Sequence, residues 1–155
     1  MKPAIDANLR PSLPHPRAFL APLVLAPHDL SASVAHANNI AMAGWVDRLA
    51  ELHADANGVS RAAQVAAGRV WFVARHEIDY LAEVFFGDDL IGATWIASIR
   101  RTTLIRQCAV YRHHASSGQF RQVLASTSRW AYIDLATRKP VAMPTPWLEW
   151  LDPLS

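Results

Sequence analysis

His36 is the residue of this 155-residue chain whose type and setting best suit chemistry. It opens the stretch His36-Ala37-Asn38-Asn39, just ahead of apolar residues at helical spacing. Imidazole gains and loses a proton near neutral pH, so His36 could act as a general base or donate to a substrate carbonyl. The alternative is a structural histidine bonded to the backbone at a helix start. Asn39 is a further catalytic candidate, although asparagines here also suit hydrogen bonds to neighbouring loops.

Asp29 is the nearest acid, seven residues before His36. A carboxylate beside a reactive histidine can activate water or attack a substrate directly, which makes Asp29 a second catalytic candidate. The stretch His28-Asp29-Leu30-Ser31 also has the composition of a turn. The commoner role of an acid in such a stretch is that of a solvated turn acid or a helix-capping group, which is the alternative for Asp29.

Two other pairs of acids have plainer interpretations. Glu77 and Asp79 alternate with Arg75, so the three share one face of a predicted strand. They would either complete a site across a subunit interface or form a solvated, salt-bridged row. Asp47 and Glu51 lie one helical turn apart and are expected at the surface.

Three arginines and one tyrosine are candidates for substrate binding. Arg100, Arg101 and Arg106 flank a predicted hairpin, and guanidinium groups suit the phosphates of a nucleotide-bearing molecule. A solvated hairpin explains the same residues. Tyr80 lies among strand aromatic residues that line a pocket for an acyl or aryl group or belong to the core.

Composition indicates a folded and oligomeric protein. The chain is 52% hydrophobic and 18% charged, too apolar for a disordered chain and rich enough to leave apolar surface for a partner subunit. Its length suits one domain. A net charge of +2 is too small for a nucleic-acid-binding face, so no nucleic acid partner is expected.

The single cysteine and the first residues indicate a compartment. Cys108 has no partner for a disulfide, zinc site or redox pair, which suggests a reducing, cytoplasmic location and no metal or other cofactor. Residues 1–17 contain four prolines and no apolar stretch, so they predict an extended leader without a signal peptide or membrane segment. Residues 18–155 are expected to form the single domain.

The candidate residues require a strand, a long helix and then four strands. Residues 19–26 predict a first strand, at an edge because of Pro22. Helical spacing predicts a helix over 31–53, capped by Ser31 or Ser33, with a short helix over 59–67. Residues 69–82, 91–101, 104–114 and 119–135 predict strands, and 144–151 a closing helical turn. The short connections predict antiparallel pairing of sequence neighbours. The fold class is α+β.

Four stretches in this order resemble the hotdog-fold thioesterase superfamily, of the 4-hydroxybenzoyl-CoA and acyl-ACP thioesterase type. The resemblance is carried by His36-Ala37-Asn38-Asn39, by Arg75-His76-Glu77-Ile78-Asp79-Tyr80-Leu81, by Gly87-Asp88-Asp89-Leu90 and by Arg100-Arg101-Thr102-Thr103-Leu104-Ile105-Arg106. It implies a curved antiparallel sheet of about five strands wrapped around one long central helix.

The resemblance also implies an activity. Such proteins hydrolyse acyl thioesters of CoA or acyl carrier protein at the interface of a homodimer, or of a dimer of dimers forming a homotetramer, and need no cofactor. The helix N-terminus faces the thioester carbonyl, where free N–H groups and the helix dipole stabilise the oxyanion. Residues Val34, Ala35 and Ala37 are the positions expected to bind the carbonyl.

The chain departs from the family pattern at the catalytic acid. That acid normally stands four residues before the histidine, where this sequence has Ala32. Three functions therefore remain open: a thioester hydrolase that uses another acid, an acyl-thioester-binding protein without catalysis, and a hydratase or dehydratase with a different acid and base pair.

Overall fold

The computed structural model describes residues 7–155, which fold as one antiparallel sheet against a helix. The elements are β1 (Phe19–Leu23), α1 (Asn39–Ala56), α2 (Arg61–Ala66), β2 (Arg69–Tyr80), β3 (Asp89–Ile99), β4 (Thr103–His114), β5 (Gln119–Asp134) and α3 (Leu148–Leu151). The strand order is β1-β3-β4-β5-β2, with every neighbouring pair antiparallel. This is the α+β hotdog architecture that the sequence predicts.

Helix α1 packs on the sheet through one apolar stripe. Its buried residues recur at intervals of three and four, which places them on one face of the helix: Met42, Trp45, Val46, Leu49, Ala50 and His53. Gly92 of β3 lies directly beneath this stripe, where a Cβ atom would come within 2.6 Å of Leu49 Cδ2. The absence of a side chain at Gly92 therefore allows helix and sheet to approach closely.

The strand positions agree closely with the sequence, but one pairing differs. β1 lies at a sheet edge, as the proline at position 22 predicts, and β3, β4 and β5 pair in order. The expectation that β2 pairs with β3 is wrong, since β2 crosses to the opposite edge and pairs with β5. The 81–88 connection is thus a crossover from β2 at one edge to β3, the strand next to the other edge, and its turn composition does not reveal this.

The start of α1 also differs from the prediction. The helix begins at Asn39 and not near Ser31, because Asn38 is its N-cap and accepts a hydrogen bond from the Ala41 amide at 2.8 Å. Residues 30–38 form an irregular loop held by an isolated bridge between Leu30 and Ala37. The short helix expected over 59–67 is present as α2, capped by Ser60.

The N-terminal segment packs on the sheet face away from α1. Residues 1–6 of the expected leader lie outside the described part of the chain. The remainder is not extended, since it contains a 3-10 turn over Arg10–Ser12. Leu9 and Leu13 are buried in a cluster with Ile91 and Trp95, which explains why this segment follows the sheet.

The chain ends in an aromatic layer. A 3-10 turn over Thr145–Trp147 leads into α3, as predicted. Trp147 lies 5.2 Å from the ring of Tyr132, and Trp150 lies 5.1 Å from the ring of His53. These contacts pack the end of the chain against β5 and the C-terminal half of α1. Within residues 7–155 no helix combines the length and the apolar character needed to span a membrane.

Candidate active site

The loop before α1 is fixed by backbone hydrogen bonds to two distant segments. The amide of Ala37 donates to the carbonyl of Val84 at 2.7 Å, and that of Asn38 donates to the carbonyl of Asp29 at 2.8 Å. A bridge also pairs His36 with Phe85. The first turn of the helix is therefore held between the 27–30 turn and the crossover after β2.

The first two amides of α1 are the free hydrogen-bond donors of this site. Asn38 satisfies the amides of Ala41 and Met42 through its side chain and its carbonyl. The amides of Asn39 and Ile40 have no hydrogen-bond partner among residues 7–155. Helix N-termini leave such N–H groups unsatisfied, and the helix dipole adds a partial positive charge. This pair can bind an oxyanion.

The free amides lie further along the chain than the residues predicted to bind the carbonyl. Val34, Ala35 and Ala37 precede the helix instead of opening it, because α1 starts at Asn39. The Val34 carbonyl accepts the amide of His36 at 2.8 Å, and the amide of Ala37 is bonded to Val84. The helix-start donors expected at 34–37 are thus supplied by Asn39 and Ile40.

His36 is oriented as a proton acceptor. Its Nδ1 lies 2.8 Å from the carbonyl oxygen of Ala37, which can only accept, so Nδ1 carries the proton. Nε2 is then the ring nitrogen that can accept a proton, and it lies 3.9 Å from Glu83 Oε1. An imidazole nitrogen that can accept a proton, with a carboxylate near enough to stabilise the imidazolium that then forms, suits a general base.

Glu83 is the acid that sequence reasoning missed. It stands 47 residues after His36 in the chain, and only the crossover after β2 brings it beside the histidine. Its side chain is largely exposed. Nothing in the local sequence distinguishes it from an ordinary surface glutamate, whereas the bridge between His36 and Phe85 fixes its position.

Asp29 lies next to the helix start but its carboxylate is already engaged. Oδ2 accepts a hydrogen bond from the amide of Ala26 at 2.9 Å, which caps the 3-10 turn Pro27–Asp29. Oδ1 lies 3.5 Å from His28 Nε2. This geometry corresponds to the capping alternative for Asp29, while its backbone carbonyl anchors Asn38.

Apolar side chains surround the free amides. Ile40 is 85% exposed, and Val34, Tyr80, Phe85 and Phe86 are also exposed although large. The Tyr80 hydroxyl donates to the carbonyl of Asn39 at 3.2 Å, which brings this predicted substrate-binding residue to the helix start. Exposed apolar groups around a polar centre are typical of a ligand or subunit interface.

The acids on β2 and α1 do not reach this site within one protomer. Glu77 and Asp79 pair with Thr127 and Ala125 and line a groove on the sheet face away from α1. Glu77 forms an ion pair with Arg75, as in a salt-bridged strand row. Asp47 and Glu51 both form ion pairs with Arg61, as expected of surface acids.

The three candidate arginines are not together. Arg100 and Arg101 are exposed on the hairpin between β3 and β4, at the end of the sheet opposite the start of α1. Arg106 is only 5% exposed and faces α1, so it does not lie on the outer surface where a nucleotide contact was expected. Its alternation with Leu104 and Cys108, which are buried, was the sequence signal for an inward position.

Comparison with known families identifies the class of protein. A family model described as the thioesterase-like superfamily matches residues 27–151, so the chain belongs to that superfamily. The resemblance noted from the four sequence stretches is thereby confirmed. No curated protein matches the chain.

Solved structures show the same fold at low sequence identity. A variant of 4-hydroxybenzoyl-CoA thioesterase complexed with 4-hydroxybenzoyl-CoA matches with a TM-score of 0.78 at 15% identity, covering 87% of this chain and 99% of that one. A 1,4-dihydroxy-2-naphthoyl-CoA thioesterase from Synechocystis matches with a TM-score of 0.74 at 17% identity, covering 88% and 97%. A DHNA-CoA thioesterase from Staphylococcus aureus gives 0.75 at 14% identity, covering 87% and 89%. The fold is the hotdog fold.

Proposed function

We propose that the protein hydrolyses an acyl-CoA or acyl-ACP thioester at the start of α1, as a symmetric dimer. The observation that carries this proposal is that the amides of Asn39 and Ile40 have no hydrogen-bond partner among residues 7–155 and lie close in the chain to His36, whose Nε2 is left to accept a proton. Membership of the thioesterase-like superfamily and the CoA thioesters named for similar structures support the choice of substrate class.

The two amides would bind the thioester oxygen as charge develops on it. Attack on the carbonyl carbon converts its oxygen into an oxyanion, which the amides of Asn39 and Ile40 and the helix dipole stabilise. A preorganised donor of this kind typically contributes about 10²–10³-fold in rate. The hydroxyl of Tyr80 keeps the Asn39 carbonyl engaged and so helps to fix this turn.

His36 would supply the base that the alanine at position 32 cannot. Its Nε2 takes a proton from water as the water oxygen bonds to the carbonyl carbon, and Glu83 stabilises the resulting imidazolium. Collapse of the tetrahedral intermediate breaks the C–S bond, and the imidazolium returns the proton to the thiolate. The acid product then loses its own proton to solvent. Asp29 is a positioning residue in this scheme, through its bond to Asn38.

The dimer would form through the free edge of β2. This strand is twelve residues long, lies at the end of the strand order and carries Phe72, which is exposed although apolar. An unpaired edge of this length is a template for a second strand. Antiparallel pairing of two β2 strands reverses the partner's sheet, so Arg100 of the partner subunit would lie toward the end where α1 starts. That placement would let the hairpin arginines meet a CoA phosphate.

The direct test is thiol release from a panel of short, long and aromatic acyl-CoA esters and acyl-ACP. We expect turnover that falls on replacing His36 or Glu83, and a dimer by sedimentation that dissociates in Phe72→Glu. Saturable binding of the ester without thiol release would instead establish the non-catalytic function. A product that differs from the substrate by one water, with the thioester intact, would establish a hydratase or dehydratase.

A further inference from the structure

A second pocket lies at the other end of α1, away from the candidate active site. It is bounded by Ala50 and Ala54 of the helix, by Gln64 of α2 and by the sheet. Its other lining residues are the ion pair of Glu51 with Arg61, one buried guanidinium, Arg106, and five apolar or aromatic side chains: Val70, Trp71, Leu104, Trp130 and Trp150. With a rise of 1.5 Å per residue, Ala54 stands roughly 20 Å along the helix from Ile40. The two sites are therefore separate.

Arg106 brings an uncompensated positive charge to this pocket. Its Nη1 donates to Thr94 Oγ1 at 3.0 Å and to His53 Nδ1 at 3.2 Å, which are both neutral acceptors. Within residues 7–155 no carboxylate lies at ion-pair distance from it. Burial lowers the pKa of Arg106 to about 10, so the group is still a cation at neutral pH. A buried charge without a counter-charge is costly unless a ligand supplies one.

Two indole groups add unsatisfied donors to the same pocket. Trp130 Nε1 and Trp150 Nε1 are both buried and make no hydrogen bond in the described part of the chain. Buried indole N–H groups normally find an acceptor, so this pair needs one. Gln64 Oε1 is also buried without a partner among residues 7–155, and it can accept a hydrogen bond from water.

We propose that this pocket binds a small carboxylate of about the size of acetate. The carboxylate oxygens would accept from the Arg106 guanidinium and from the indole N–H groups of Trp130 and Trp150, while the aromatic walls cover the remainder of the ligand. Arg61, the other cation of the lining, is paired with Asp47 and Glu51, so within residues 7–155 Arg106 is the lining cation without an ion-pair partner. One unpaired cation and mostly apolar walls favour a monoanion over a phosphate.

The other ionisable groups near the pocket do not compensate the positive charge of Arg106. Glu51, the carboxylate at the rim, lies 3.2 Å from Arg61 Nη1 and 3.5 Å from Arg48 Nη1. These two partners neutralise it. His53 is neutral because burial and the neighbouring Arg106 lower its pKa to about 3. Arg106 therefore remains the unpaired charge of the described pocket.

The test is calorimetric titration of the full-length protein, without any thioester, using sodium formate and acetate, and using sodium benzoate, sodium chloride and inorganic phosphate as contrasts. We expect saturable binding of formate or acetate. Trp130→Phe and Trp150→Phe keep the ring but remove the N–H, and each should weaken binding roughly tenfold, the effect of losing one hydrogen bond to a charged group. Arg106→Gln should abolish it.

Trp147→Phe is the matched control, because Trp147 touches the same aromatic layer without lining the pocket. Its binding should equal that of the unmodified chain. If Arg106→Gln does not fold, the two indole variants decide the question. Binding of benzoate, chloride or phosphate alone, no binding of formate or acetate, or unchanged affinity in both indole variants would overturn the proposal. None of these measurements requires hydrolysis, so failure here is distinct from failure of the proposed activity.

Discussion

Polar groups lie open at the first turn of α1, whereas those packed against its C-terminal half are buried. At the start, the free amides of Asn39 and Ile40 and the imidazole of His36 face an open loop. At the other end, Arg106 and His53 are buried between helix and sheet. Exposed polar groups can bind a substrate at little cost to the stability of the fold. Buried ionisable groups instead make the free energy of unfolding depend on their protonation state. Activity and stability should therefore depend on different ends of one helix.

The largest expected effect lies at the open end. His36→Ala should lower kcat for thioester hydrolysis by roughly 10²–10⁴-fold, the usual contribution of a positioned general base. The free energy of unfolding should fall by only about 1 kcal/mol, through loss of the hydrogen bond from Nδ1 to the Ala37 carbonyl. Steady-state thiol release and denaturant unfolding measure the two quantities.

His28→Ala is the matched control for this variant, because His28 is exposed in the same region of the chain. It should retain full activity. Equal losses in the His28 and His36 variants would remove His36 from the mechanism.

A second variant tests the covered stripe of the helix. Leu49 is fully buried against Gly92 and Leu23, so Leu49→Ala should lower the free energy of unfolding by about 2–5 kcal/mol through lost contacts and a cavity. Its kcat/KM, measured well below the melting temperature, should stay within a few-fold. Arg48→Ala, at the adjacent exposed position, should leave both unchanged. A large loss of kcat/KM in folded Leu49→Ala would contradict the expectation that activity and stability depend on different parts of the helix.

A third test measures the free energy of unfolding at acidic pH. Burial, followed by the charges of Arg106 and His15, lowers the pKa of His53 from 6.5 to about 3. Between these values the unfolded chain binds a proton that the folded chain excludes, so stability falls as the pH drops below 6.5. From pH 7 to pH 5 the loss should be about 2 kcal/mol. Denaturant unfolding at a series of pH values measures it.

His53→Gln should flatten this pH dependence, whereas His28→Ala should preserve it because His28 is exposed. An unchanged slope in His53→Gln would show that the acid sensitivity arises from another group.

The smallest effect compares two helix caps. Asn38 and Ser60 each accept a hydrogen bond from the amide three residues later, at the starts of α1 and α2. Replacing either by alanine should lower the free energy of unfolding by about 1 kcal/mol. Only Asn38→Ala should also lower turnover, because it loosens the turn that presents the free amides. Equal activity of the two variants would mean that this turn does not act in catalysis.

Much of the sheet was predictable from the sequence because its signals are local. β4 and β5 begin and end within one residue of the predicted bounds, since β-branched and aromatic residues fill each strand and polar turns separate them. The edge position of β1 followed from Pro22, which cannot donate to a second neighbour. The buried face of α1 followed from its helical spacing.

Errors arose where distant contacts compete with local preference. Ser31 was a plausible N-cap. The backbone hydrogen bonds from Ala37 to Val84 and from Asn38 to Asp29 keep the preceding loop out of the helix, which therefore begins later in the chain. Glu83 carried no local signal. Arg106 did carry one, because it alternates with buried residues of β4, yet its charge suggested the surface.

The sequence by itself determined the strand content and the helical stripe of this protein, because periodicity and turn composition are properties of short segments, and the resemblance of four short motifs indicated its family. Only the tertiary structure decided that β2 pairs with β5, that Asn39 and Ile40 carry the free amides, and that Glu83 stands beside His36. These features depend on segments that are far apart in the chain. Their contacts are fixed by how the crossover and the helix fit against one sheet.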